Sequence, residues 1–79
     1  MSCGKLVRLV GGYYYRIRRS RFPHECFYCR GVIPAKSYYI EEEIYMVERR
    51  IYHIECFKKI MGHRIRVSYS GGEPLLCLD

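Results

Sequence analysis

Most of the chain alternates between apolar and polar positions, and only one stretch changes to a helical step. Residues 5–10 (KLVRLV) and 13–18 (YYYRIR) are β-branched and aromatic runs on either side of Gly11-Gly12. Two adjacent glycines can both take positive φ, so the pattern predicts a β-hairpin. Its two-residue period puts Arg16 and Arg18 on one strand face, with Tyr14 beside them. Residues 18–24 form a basic connector, and Pro23 sets an extended approach to Cys26. Residues 26–31 form a tight knuckle, with Gly31 at a place where a turn often needs positive φ. Residues 37–40 and 44–52 are predicted strands. Their turn is expected within Glu41-Glu42-Glu43, and a later turn at Arg49-Arg50 also fits the periodicity. In residues 53–61 the step becomes three and four: Ile54, Phe57, Ile60 and Met61 share one face of a short helix. Gly62 stands where a left-handed C-cap belongs. Glu55 falls in the first turn, and Lys58, Lys59 and His63 near the last, as the helix dipole favours. Residues 64–69 alternate like a strand, 70–74 (SGGEP) form a turn, and 75–78 form a last short strand or apolar tail.

Four soft ligands sit on these elements in two pairs. Cys26-Phe-Tyr-Cys29 is followed, after twenty-three residues, by His53-Ile-Glu-Cys56. A two-residue gap lets both members of a pair converge on one ion, at roughly 2.3 Å from sulfur and 2.0 Å from imidazole nitrogen. The expectation is one structural Zn²⁺ on Cys26, Cys29, His53 and Cys56. Four protein ligands leave no open coordination position, so zinc catalysis is not expected and the chain reads as a non-enzyme with no small-molecule substrate. A metal crosslink suits this length: seventy-nine residues make one small domain whose core alone is marginal. The expected divisions are a basic Tyr-rich hairpin and connector (1–21), a zinc-binding unit (22–62) and a C-terminal strand and tail (63–79).

Charge adds a second theme. The formal charge is +6, and residues 1–36 carry eight Lys/Arg against the single Glu25, a net of +7. Residues 37–57 carry Arg49 and Arg50 against five glutamates, a net of −3. The basic set Arg16, Arg18, Arg19, Arg21 and Arg30 is interleaved with Tyr13, Tyr14 and Tyr15. Arginine can fork onto phosphates, and tyrosine can stack on exposed bases. Arg16, Arg18, Arg19, Arg21, Arg30 and Tyr14 are therefore the candidate nucleic-acid contacts, against the plainer alternative of a charged outer face over a tyrosine core. Arg64 and Arg66 are candidates to extend this surface. The glutamate triplet reads most simply as a solvated turn, and His24 as a loop histidine.

Of five cysteines, Cys3 and Cys77 are left over: spare thiols are the default reading, which fits a reducing, intracellular compartment, with a redox pair if the termini meet or part of a second metal site as the alternatives. The apolar stretch at residues 6–10 is interrupted by Arg8 and too short for a signal segment, and no stretch approaches a membrane span.

The order of knuckle, hairpin and helix bearing the second ligand pair is similar to a treble-clef zinc finger. Residues 26–57, above all Tyr52-His53-Ile54-Glu55-Cys56-Phe57, resemble the poly(ADP-ribose) polymerase type finger and the first zinc unit of a LIM domain. No second set of four ligands follows, as it would in a complete LIM domain, and Ile51 stands where polymerase-type fingers usually carry tryptophan. The resemblance implies a small α+β treble-clef-like domain with an added N-terminal β-hairpin, and Tyr52 and Phe57 packed around the metal. The first likeness implies DNA recognition, the second a protein-interaction adaptor with a protein partner or a homodimer.

Overall fold

The computed structural model describes residues 2–78, which form nine strands and one helix. The chain opens with β1 (Ser2–Gly4), a strand that no sequence signal announced. β2 (Leu6–Leu9) and β3 (Tyr13–Arg19) then make the expected hairpin, with Gly11 and Gly12 both at positive φ. A two-stranded ribbon, β4 (His24–Glu25) and β5 (Val32–Ile33), brackets the knuckle. β6 (Tyr38–Ile44), β7 (Glu48–Tyr52) and α1 (Ile54–Met61) follow, then the hairpin β8 (Arg66–Ser70) and β9 (Glu73–Leu78).

The principal sheet has the order β2-β3-β6-β7, antiparallel throughout. Its register aligns Val7, Tyr15 and Glu42, and next to them Ile17, Ile40 and Tyr52. This inner face is the core wall. A three-stranded sheet, β1-β9-β8, and α1 supply the rest of the core, with Phe57, Ile65 and Leu76 almost fully buried. The Tyr15 and Phe57 rings meet at 5.4 Å, which ties the sheet to the helix. The helix buries Cys56 and Phe57, while Ile54, Ile60 and Met61 pack on the core as its half-buried flank.

The expected turn at Glu41-Glu42-Glu43 is not there. All three glutamates lie within β6, and the turn comes at Tyr45-Met46-Val47, neither there nor at Arg49-Arg50. Tyr45 and Met46 adopt positive φ, of 52° and 59°. The partner hairpin holds Tyr45 there. The Tyr45 N–H donates to the Gly12 carbonyl at 2.9 Å, and its ring lies where a Cβ on residue 12 would stand. Gly12 therefore serves both its own turn and the neighbouring one.

Three smaller expectations also change. Gly62 is right-handed, at φ −60°, and its N–H donates to Lys58 O, so the chain continues past α1 in further turns through Ile65. Pro74 is a buried residue of β9, which begins at Glu73 rather than after the turn. Cys3 and Cys77 are not spare thiols: they sit directly opposite one another across β1 and β9 and form a disulfide. Spare thiols therefore no longer argue for a reducing compartment. Among the described residues, no helix is long and apolar enough to cross a membrane.

Candidate functional site

The metal centre is assembled from two elements. The knuckle between β4 and β5 supplies Cys26 and Cys29, and the start of α1 supplies His53 and Cys56. Their ligand atoms all lie within 4.8 Å of one another. One zinc ion fits this Cys₃His set in donor chemistry and in number. His53 is the N-cap residue, in an extended conformation, and its side chain makes no capping bond. It is thereby free to turn toward the cysteines. Its Nε2 faces the Val32 carbonyl at 2.9 Å, which fixes Nε2 as the protonated nitrogen. Nδ1 is left with its lone pair toward Cys29 Sγ, at 3.3 Å, and Cys56 Sγ, at 3.8 Å. A carbonyl holding the far nitrogen of a ligating histidine is the usual way that a metal site orients its imidazole.

Backbone donors prepare the sulfurs. The His53 N–H points at Cys26 Sγ at 3.4 Å, and the Gly31 N–H at Cys29 Sγ at 3.3 Å. Burial acts to raise the Cys26 thiol pKa, but N–H groups around the knuckle outweigh it and hold the thiol below its ordinary value. Cys56 goes the other way, raised by burial and then by the neighbouring sulfurs. Three thiolates at this spacing repel one another, and a divalent cation among them removes that cost. Gly31 serves space rather than positive φ: a Cβ there would lie a tight 3.3 Å from Cys29 Sγ, and the left-handed residue is Arg30, at φ 64°. Tyr52 is buried, with its ring edge-on to Phe27 of the knuckle, and Phe57 is fully buried.

The candidate basic residues divide. Arg18, Arg19 and Arg21 line one cleft of about 320 Å³, together with Arg49, Phe22 and Tyr39. Arg16 and Tyr14 line an adjoining groove of about 310 Å³ with Arg8. By register, Arg8, Tyr14, Arg16, Arg18 and Arg49 all occupy the outer face of the principal sheet. Arg30 is elsewhere: it pairs with Glu25 at 3.6 Å and lies over Phe27, which Arg50 covers from 4.6 Å. Arg66 is in the other sheet, and Arg64 lines a separate hollow with Leu9 and Val10, so neither extends the cleft. Two of the glutamates lie under this chemistry rather than in solvent. Glu41, 7% exposed, takes ion pairs from Arg18 at 3.4 Å and Arg16 at 4.0 Å. Glu42 points inward and accepts from Tyr15 and Tyr52. Sequence reasoning missed Arg49 and Phe22, because neither stands in the tyrosine-rich run. Arg49 reaches the cleft only through the pairing of β7 with β6.

No family model matches the chain, and neither a curated protein nor a solved structure is significantly similar to it.

Proposed function

We propose that this chain is a treble-clef-like, zinc-stabilised domain that binds nucleic acid on the outer face of its principal sheet. Zinc is structural here, a clamp between knuckle and helix, and the domain performs no catalysis. The observation that supports the binding role is the convergence of Arg18, Arg19, Arg21 and Arg49 on one cleft, where Glu41 is the one carboxylate among the described residues of its lining. Arg8 and Arg16 continue the positive face into the next groove beside Tyr14. Fixed arginines on a flat face can track a phosphate backbone, and buried Glu41 holds Arg16 and Arg18 in place while cancelling one charge.

The test is fluorescence anisotropy of the zinc-loaded protein against duplex DNA, single-stranded DNA and a structured RNA across a salt series. The expected result is binding that falls steeply with salt and weakens in the Arg18→Ala, Arg21→Ala and Arg49→Ala variants. No binding at low salt, where attraction is strongest, overturns the proposal.

A second reading, a protein-interaction adaptor, is favoured by one other observation. Val10 (99% exposed), Met46 (78%) and Val47 (84%) project from two adjoining hairpin turns. An apolar tip of this kind suits a protein contact. Light scattering on a size-exclusion column tests its homodimer form: a monomer at every concentration removes it.

A further inference from the structure

Phe22 is the exposed aromatic among the described residues that line the arginine cleft, at 62% exposed. Its ring is not loose. It meets the His24 ring at 5.5 Å, and His24 meets Tyr39 at 5.2 Å. Tyr39 is buried in β6, so this train of three rings anchors an exposed aromatic to the principal sheet. A solvent-facing phenyl ring packed against a second ring presents a face for stacking, and less freedom is lost when a partner arrives than for an unsupported side chain.

The charges around the ring are ordered by what already occupies them. Arg18 is engaged by Glu41 at 3.4 Å, and the Arg19 Nε donates to the Lys36 carbonyl at 3.0 Å. Arg49 is held from one side by Glu43 at 3.5 Å and keeps most of its side chain in solvent. Arg21 has no ion pair among the described residues. The cleft therefore offers one anchored aromatic face and two guanidinium groups with capacity for a phosphate, in a volume of about 320 Å³, the size of a small-ligand site.

We infer that this cleft takes one unpaired nucleotide of a single-stranded nucleic acid, with its base stacked on Phe22 and its phosphate on Arg21 and Arg49. The inference rests on the nucleic-acid reading above and narrows it. A base in a duplex keeps both faces covered by its neighbours and cannot reach a ring set in a cleft, whereas a single strand presents its faces freely.

The experiment compares a short oligothymidylate with a duplex of equal length, at matched concentrations across a salt series, on the zinc-loaded protein. The single strand is expected to bind at least about tenfold tighter. Phe22→Ala is expected to lower single-strand affinity by about tenfold or more, while Phe22→Trp retains it. Arg21→Ala is expected to reduce the salt slope by about one. Because Phe22 is exposed, an unchanged circular dichroism spectrum and melting temperature should accompany these losses. A duplex bound as tightly as the single strand, or an unchanged Phe22→Ala affinity, overturns the inference and leaves nucleic-acid binding standing. Absence of binding to either ligand at low salt removes both.

Discussion

At the scale of single residues, the most consequential side chain outside the metal centre is Glu42. It is 7% exposed, on the core face of β6, where Tyr15 OH donates to one carboxylate oxygen at 2.7 Å and Tyr52 OH to the other at 3.2 Å. Arg50 adds an ion pair at 3.8 Å. A buried carboxylate is tolerated only when it is satisfied in this way. The cost of the arrangement falls on the phenols. Burial, and then the Glu42 charge and hydrogen bond, push Tyr52 up to about 12 and raise Tyr15 as well. The sign follows from proton counting. Between the ordinary phenol value of about 10 and the folded values, the unfolded chain loses protons that the folded chain keeps. Stability from these two groups is thus complete below about pH 10 and falls as pH rises above it. Chemical denaturation across that range, together with phenolate absorbance, should show unfolding coupled to the late release of two protons. Tyr15→Phe should cost about 1–3 kcal/mol at neutral pH, because it leaves a buried carboxylate oxygen without its closest donor. A variant that keeps full stability and the same alkaline profile would remove this account.

At the scale of elements, the same residues show how much of the molecule was legible in the chain. The hairpin β2–β3, the helix α1 and the ligand pairs were readable, because Gly-Gly turns, a three-four step and Cys-x-x-Cys spacing are local signals. The β6–β7 turn was not. Three consecutive glutamates look like a turn by propensity, yet Glu42 is kept in the strand by two phenols contributed from β3 and β7. The actual turn uses left-handed Tyr45 and Met46, residues that carry no turn signal, and Tyr45 is held by contacts with another hairpin. Arg49 and Phe22 were missed for the same reason, since the cleft exists only after strands distant in sequence have paired. The metal centre belongs at this scale too. An isolated eight-residue helix is marginal in water, so α1 depends on its packing and on its first turn being tied to the knuckle. Native mass spectrometry should therefore find one zinc per chain. Chelation should lower stability by several kcal/mol and expose the α1 amides to hydrogen exchange first. Cys56→Ser should do the same without chelator. A folded, metal-free protein with protected α1 amides would contradict the ligand assignment.

At the scale of the whole molecule, two crosslinks divide the work of stabilising a small core. The zinc ligands span residues 26–56, and the disulfide joins Cys3 to Cys77 across a sequence separation of 74. The two therefore constrain different parts of the chain: the metal ties knuckle to helix, and the disulfide fastens edge strand β1 to β9 in the three-stranded sheet. Leu76, beside Cys77, is fully buried, so release of β1 loosens the register of a strand that the core needs. Crosslinking so long a loop restricts the unfolded chain strongly, and the loss on reduction should be about 2–4 kcal/mol. The two contributions can be separated, because Cys3 and Cys77 take no part in the metal centre. Cys3→Ser should lower the denaturation midpoint of the zinc-loaded protein while the bound metal stays at one equivalent. Chelation should then destabilise that variant by about the same increment as the parent, as expected for sites with no shared partners. A Cys3→Ser protein that also loses zinc would mean that the two halves fold as one tightly coupled unit. An unchanged midpoint would mean that the β1–β9 pairing holds without the disulfide.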